Sequence, residues 1–302
     1  MRRTALGAVF VASLAACSST GDDAASTATE HHHVHTDATS LGQPDRPIAG
    51  PQGGVPQFVV ECGFSHSAMD DPIVYPGEPG ASHLHVFFGN DGVDADSTVE
   101  SLAQHGTTCD QQLDLAAYWA PALLRDGEML EPVKSVAYYR AGIDVDPTTV
   151  QAFPAGLVMI AGNAGAETEQ PVSIVAWSCG TGIAREVLPP ECGETRNLRL
   201  LVTFPDCWDG ANLDSDDHKA HVAYSSKGAC PESHPVTVPQ LQFSVEYPHS
   251  GSTEGLMLAS GGLMSGHADF MNGWDQERLE REVRLCLHRE VVCSIASGRT
   301  GG

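Results

Sequence analysis

Cysteine placement constrains the fold of this chain more than any other feature of the sequence. The first of its nine cysteines, Cys17, follows an N-terminal apolar segment of the kind that directs export. The other eight, none of which lies in a Cys-x-x-Cys motif, are Cys62, Cys109, Cys179, Cys192, Cys207, Cys230, Cys286 and Cys293. An even number of cysteines in an exported chain predicts up to four disulfides, but the sequence does not fix which of the 105 possible pairings of eight cysteines forms. The close pairs Cys179/Cys192 and Cys286/Cys293 are favoured, and neither thiolate-bound zinc nor a catalytic cysteine is expected.

Residues 1–16 have the three parts of a bacterial lipoprotein signal peptide. Arg2 and Arg3 form a positive n-region, residues 5–15 are a short apolar h-region, and residues 14–17 close it as a lipobox. The apolar run is too short to cross a bilayer as a helix. After cleavage Cys17 would become the N-terminus and carry the lipid. We therefore expect an extracytoplasmic protein whose only membrane attachment is lipidated Cys17.

Residues 17–56 are predicted to be a disordered, low-complexity tether, because they are rich in Ser, Thr, Ala, Asp, Gly and Pro and show no hydrophobic period. The stretch HHHVH at residues 31–35 could bind a transition metal weakly. We favour the alternative, that it is a low-complexity sequence without a function, because no folded scaffold would preorganise a metal site there. The formal net charge of −23 disfavours nucleic acid and anionic lipid as partners.

Short apolar or alternating runs dominate the rest of the chain and predict β-strands. They are QFVVEC, HLHVFFG, SVAYY, GLVMIAG, SIVAW, LRLLVTF, HVAYS and LQFSVEY. Gly, Pro, Asn and Asp separate these runs and predict turns. We expect a single, mainly β, disulfide-stabilised domain over residues 57–296, a sandwich or jelly roll, followed by a tail over residues 297–302.

One amphipathic helix is predicted near the C-terminus. Leu279, Val283, Cys286 and Leu287 recur at helical spacing, with charged residues between them. Asp275 is the expected N-cap. The apolar face should pack on the β domain.

Three segments contain residues that could bind a metal or transfer protons. In GASHLHVFFGN, His83 and His85 are two residues apart, so on a strand they would point to the same face and could serve one metal or one substrate. In GHADFMNGW, His267 and Asp269 have the same spacing. Asn272 and Trp274 follow in that segment, and together with Trp208 they are candidates for substrate binding, although tryptophan is more often a core residue.

The third segment, LDSDDHKAHVAY, is read in two ways. If its middle is helical, Asp214 lies one turn from His218, and Asp217 one turn from His221. A neighbouring carboxylate fixes the tautomer of an imidazole and raises its basicity, which suits a general base or a metal ligand. The alternative is a solvated acidic loop in which His221 merely begins a strand.

Five segments together resemble the domain-of-unknown-function 1996 family of secreted bacterial and fungal proteins. In order along the chain they are DPIVYPGEPGASHLHVFFGN, FPAGLVMIAG, FPDCWDGANLDSDDHKAHVAY, CPESHPVTVPQL and HADFMNGWD. The resemblance spans about Cys62 to Cys286, and it implies that the family-type histidines and acids are His83, His85, His218, His221, His267, Asp214, Asp217 and Asp269. The family name states no activity. Fungal members often carry a carbohydrate-binding WSC module, which implies action at a polysaccharide surface; here a lipid anchor would replace that module.

Three functions fit these observations. The first is a glycan-active hydrolase or lyase that uses the His and Asp residues for acid–base catalysis. The second is a protein that binds zinc or copper through His83, His85, His218 and His267, with Asp214 or Asp269 as an oxygen ligand. The third is a non-catalytic carbohydrate-binding or structural surface protein, in which the polar cluster is a buried hydrogen-bond network.

Overall fold

The computed structural model of the protein describes residues 44–47, 55–181 and 184–293. Each of the eight apolar runs coincides with a strand of at least two residues. The strands are β1 (Pro44–Pro47), β2 (Gln57–Ala68), β3 (His85–Gly89), β4 (Ala117–Pro121), β5 (Leu123–Arg125), β6 (Glu128–Met129), β7 (Lys134–Arg140), β8 (Val158–Gly162), β9 (Val175–Cys179), β10 (Leu198–Thr203), β11 (Cys207–Trp208), β12 (Val222–Ala223), β13 (Val236–Thr237), β14 (Gln240–Tyr247), β15 (Leu256–Leu258), β16 (His267–Met271) and β17 (Val291–Cys293). The helical segments are α1 (Val99–Leu102), a 3-10 turn (Pro147–Thr149), α2 (Gln276–Glu282) and a π-helical turn (Val283–Leu287).

Most of the strands form one large sheet that folds over on itself. Its main path is β8-β16-β4-β3-β2-β7-β14-β10-β9, and β17 pairs with both β1 and β2. The long strand β2 belongs to both layers, since Gln57–Gly63 pairs with β7 and the part from Phe64 to Ala68 pairs with β3. The register shifts between Phe64 and His66, where the strand changes layers. The predicted β-sandwich is confirmed.

The core lies between the two layers and is rich in aromatic residues. Phe243 of β14 stacks on Tyr118 of β4, with ring centroids 5.6 Å apart, and meets Phe88 of β3 edge-on at 5.8 Å. Such offset-stacked and edge-on contacts are the geometries that aromatic quadrupoles favour. They join β14 of one layer to β3 and β4 of the other.

The outer face of the β8-β16-β4-β3 layer is also buried. Phe87 and Trp119, which alternate with the core residues of their strands, pack with Ile73, Val93 and Leu102 in a second apolar cluster. The last three belong to the connections before and after β3, which therefore cover this face. Every residue of β3 and β16 is buried as a result, and polar side chains on the outer face are shielded from water.

Four disulfides stabilise the domain. The two favoured pairs, Cys179–Cys192 and Cys286–Cys293, are confirmed, and the others are Cys62–Cys109 and Cys207–Cys230. Cys62 and Cys109 also lie near Asp114, but their sulfur atoms are bonded to each other and are not thiolate ligands.

The C-terminal helix forms as predicted. The Asp275 side chain accepts a hydrogen bond from the Arg278 amide at 2.9 Å, so Asp275 is the N-cap of α2. The predicted apolar face, Leu279, Val283, Cys286 and Leu287, is buried. From Val283 the helix continues as a π-helical turn, which the periodicity did not predict.

Replacing Asp275 with alanine is expected to lower the free energy of unfolding by about 1 kcal/mol, because the Arg278 amide loses its acceptor at the helix end. Urea denaturation of the two proteins measures the difference. The Asp275→Asn variant, which keeps a capping oxygen, should lose much less. Equal losses for the two variants would show that the cap does not stabilise the helix.

Four residues within the predicted tether are part of the described structure. Pro44–Pro47 forms β1 and pairs with β17, although PDRP has no apolar alternation, because an antiparallel pairing of two backbones needs none. The predicted signal peptide, Cys17, the HHHVH stretch and residues 297–302 lie outside the described residues. Within the part of the chain that the structure describes, no helix has the length and apolar character to span a membrane.

Candidate functional site

Three histidines from distant parts of the chain meet on the buried outer face of the β8-β16-β4-β3 layer. His85 of β3 is paired with Pro121 of β4, and the register of β16 against β4 brings His267 level with Pro121 on its other side. His83 lies just before β3, not within it, yet its ring is 4.2 Å from that of His85. One nitrogen from each ring lies within 4.8 Å of the others.

Backbone carbonyls orient two of these rings. His85 Nδ1 donates to the Asp70 carbonyl at 2.9 Å, and His267 Nδ1 donates to the Ser265 carbonyl at 2.9 Å. These bonds assign the Nδ1–H tautomer to both rings and leave an Nε2 lone pair on each. His85 Nε2 is buried and has no hydrogen-bond partner among the described residues. Orientation through the far nitrogen is how proteins prepare histidines that bind metals.

A buried carboxylate completes the cluster. Asp269 Oδ2 lies 4.0 Å from His267 Nε2 and, like His85 Nε2, is buried without a hydrogen-bond partner among the described residues. Burial raises the pKa of Asp269 well above its ordinary value, and the nearby carboxylate of Asp71 raises it further. The positive charge of Lys219, on the cavity wall, acts in the opposite direction. A buried carboxyl group is compensated either by a proton or by a paired cation.

The histidines are held in the neutral form. Burial lowers the pKa of His267 to about 3, and burial together with the adjacent imidazoles lowers the pKa of His85 well below its ordinary value. Burial also lowers the pKa of His83. Imidazoles that do not take up protons at neutral pH keep their lone pairs available to a metal ion.

Part of the cluster lines a cavity of about 290 Å³. His83, His267 and Asp269 line it, and His85 lies behind them. The remaining wall includes Asp71, Tyr75, Asn163, His218 and Lys219. Asp217 lines the cavity as well, and of these wall residues only Asp217 and His218 were candidates from the sequence. Asp71, Tyr75 and Lys219 lie in loops, and no spacing in the sequence indicated that they approach the cavity.

The LDSDDHKAHVAY segment forms turns, not a helix. The Asp214–His218 pair nevertheless exists, with Asp214 Oδ1 2.9 Å from His218 Nδ1. His218 has a positive φ of 56°, which places it in a tight turn at the cavity wall. Asp214 does not line the cavity, and its connection to the cavity is the hydrogen bond that orients the His218 ring.

The second pair that helical spacing would give, Asp217 with His221, does not form directly. Asp217 accepts hydrogen bonds from the amides of Lys219 and Ala220, which lower its pKa to about 2. His221 is buried beneath the loop, where Nε2 contacts the Val158 carbonyl at 2.7 Å and Nδ1 contacts Ser215 Oγ at 2.9 Å. Both residues hold the loop in shape, and His221 does not reach the cavity.

None of the three candidates for substrate binding lines the cavity. Trp274 is a core residue whose Nε1 donates to Tyr139 Oη at 3.0 Å. Asn272 is buried and donates to the Pro154 carbonyl at 2.8 Å, so it fixes the turn after β16. Trp208 packs against the core from β11 and donates to the Asn212 carbonyl.

The low pKa of His267 predicts an acid-sensitive domain when no metal is bound. In the unfolded state His267 is protonated below its ordinary pKa of 6.5, whereas in the folded state it stays neutral down to about pH 3. The free energy of unfolding therefore falls as the pH falls from 6.5 to about 3. In the presence of a chelator, the His267→Gln variant should therefore show a flatter pH dependence than the parent. Denaturation at several pH values between about 7 and 4 measures both slopes; equally steep slopes would contradict the prediction.

A family model described as Domain of unknown function (DUF1996) matches residues 71–274, more than half of the 302-residue chain. The matched span includes all three clustered histidines, Asp269 and the residues named on the cavity wall. No curated protein and no solved structure matches the chain.

Proposed function

The chain belongs to the DUF1996 family, whose description names no activity, and we propose from the site itself that the protein binds one zinc or copper ion through His83, His85 and His267. The observation that supports this most is the pair of buried atoms without partners, His85 Nε2 and Asp269 Oδ2, beside two further imidazole nitrogens. A buried polar atom without a partner costs free energy; a bound cation would satisfy His85 Nε2 and balance the charge of the Asp269 carboxylate.

The distance between His83 and His267 fits a common ion. Metal–nitrogen bonds near 2.0–2.1 Å at tetrahedral angles place ligand nitrogens roughly 3.3 Å apart, and His83 Nε2 lies 3.2 Å from His267 Nε2. A hydrogen bond from His83 to His267 would explain that distance too. It would leave His85 Nε2 without a partner, however, whereas a metal ion engages all three rings.

Asp269 has a separate role in the proposed site. Its carboxylate is too far from His267 for a hydrogen bond, at 4.0 Å, but it is close enough to balance the charge of a bound cation or to become a ligand after a small movement. Imidazole and carboxylate together suit zinc and copper better than calcium or magnesium, which prefer oxygen ligands.

A catalytic role is the second candidate, and the cavity favours it. Catalytic zinc sites have three protein ligands and one position open to water or substrate, and here the cavity reaches His83 and His267 from outside. His218, held by Asp214, lies on the same wall and could accept a proton from a hydrolytic water. A glycan substrate, extracytoplasmic location and anchoring through Cys17 remain predictions; four disulfides agree with an oxidising compartment.

Metal titration of the full chain tests the proposal. The histidines of the HHHVH stretch (His31, His32, His33 and His35) are first replaced by alanine, so that they do not bind the added metal. Calorimetry with Zn²⁺ and Cu²⁺ should then show one site per chain, and either ion should raise the melting temperature. A protein that binds neither ion and melts identically with and without chelator would contradict a metal site.

A further inference from the structure

A second cavity, of about 350 Å³, lies on the outer face of the other layer of the sandwich. Arg140 of β7, Gln242 of β14 and Arg199 of β10 line it, together with Arg185 from the connection after β9. These strand residues alternate with core residues such as Tyr139 and Phe243, so they point away from the core. The histidine cluster is on the outer face of the opposite layer, and the two cavities share no lining residue.

The concentration of positive charge in this cavity is unusual for the chain. The chain has only 16 Lys and Arg against 39 Asp and Glu, yet three arginines line one cavity. Arg199 forms an ion pair with Glu246. Arg140 and Arg185 form no ion pair with any described residue, and both donate to one neutral acceptor, Gln242 Oε1.

The surroundings of the two arginines are those of an incomplete ion pair. Burial, together with the positive charge of the neighbouring Arg185, lowers the pKa of Arg140 to about 10. The hydroxyls of Ser178 and Ser244, which line the same cavity, have no hydrogen-bond partner among the described residues. Two adjacent guanidiniums and two free hydroxyls form a donor set that an oxyanion with several acceptor oxygens would satisfy.

An apolar cavity adjoins the arginines. It has a volume of about 590 Å³, and Arg140 and Arg185 line it as well. Its other walls include Val55, Ile143 and Val172, with exposed fractions of 45%, 77% and 37%. The two guanidiniums therefore lie where a polar cavity meets an exposed apolar one.

We propose that Arg140 and Arg185 bind the carboxylate of an organic acid whose apolar part occupies the adjoining cavity. A guanidinium presents its N–H groups as a planar fork that matches a carboxylate in a bidentate manner. The carboxylate would accept from both arginines, which Gln242 now bridges, and the hydrocarbon would cover Ile143 and its neighbours. This site is independent of the proposed metal.

Titration of the full chain with sodium octanoate and sodium acetate tests the proposal, at constant ionic strength and with a chelator present so that the histidine cluster plays no part. Octanoate should bind at least roughly 10-fold more tightly than acetate, because each added methylene buries apolar area. Inorganic phosphate is the third probe and should bind no more tightly than acetate. Equal affinity for all three ligands, or tighter binding of phosphate, would overturn the assignment of an amphipathic carboxylate.

Two variants test the arginines. Arg185→Gln should weaken octanoate binding by roughly 10-fold or more, since it removes a charge-assisted bond. Arg125→Gln, at the exposed end of β5, should leave octanoate binding unchanged. Gln242→Glu places a carboxylate between the two arginines; it should abolish octanoate binding and raise the melting temperature. Octanoate binding that survives both Arg185→Gln and Gln242→Glu would overturn the proposal.

Discussion

The His267→Ala variant is expected to lose zinc affinity by a factor on the order of 100 or more, because it removes a proposed ligand whose ring the Ser265 carbonyl orients. The measurement is a competition titration against a chromophoric chelator near neutral pH, in the full chain whose HHHVH histidines are replaced by alanine. His234→Ala is the matched control. That half-buried imidazole also bonds a backbone carbonyl, of Ala220, but lies outside the cluster.

A second variant separates metal binding from a structural hydrogen-bond network. His85→Phe removes the unpartnered Nε2 and keeps an aromatic ring beside Phe87. With a chelator present, the only hydrogen bond to a described residue that the variant loses is the one from Nδ1 to the Asp70 carbonyl. Removing Nε2 should cost little free energy of unfolding, because Nε2 makes no hydrogen bond within the described part of the folded protein. Zinc affinity should fall as far as in His267→Ala. Zinc binding that persists in both variants would exclude the histidine cluster as the site.

Removing the Cys62–Cys109 disulfide is expected to lower the free energy of unfolding by about 4 kcal/mol, the loop-closure entropy for residues 47 apart in sequence. The matched control is removal of Cys286–Cys293, which are 7 apart and should cost only about 2 kcal/mol. Urea denaturation of the two double Cys→Ala variants compares the losses. A loss for Cys286–Cys293 as large as that for Cys62–Cys109 would contradict the loop-length explanation.

Local features of the fold were predictable from the sequence because they depend on neighbouring residues. The cap at Asp275 and the apolar face of α2 follow from helical spacing. The 13-residue and 7-residue disulfide separations favoured the two pairs that form. Strand β4 was missed because AYWAP is buried on both faces and shows no alternation.

The candidate site was predictable only in part. The spacing of His83 with His85 and of His267 with Asp269 indicated shared faces, but their meeting depends on the strand order β16-β4-β3, which no local pattern encodes. The direct pairing of Asp217 with His221 was inferred from helical spacing, whereas the loop uses Asp217 to bind its own backbone amides. Arg140 and Arg185 belong to no motif, so their convergence on Gln242 could not be anticipated.

The pairing of β17 with β2 has a consequence for the time course of folding. In this parallel pairing Cys293 lies beside Phe58, so β17, the last described strand, forms hydrogen bonds with β2, the first long strand. Sheets built from such distant contacts fold slowly, because the loop entropy is lost before the contacts form. A ribosome releases β2 and β3 long before β16 and β17, and domains fold after their last element is available. The histidine cluster therefore assembles only after synthesis has passed His267.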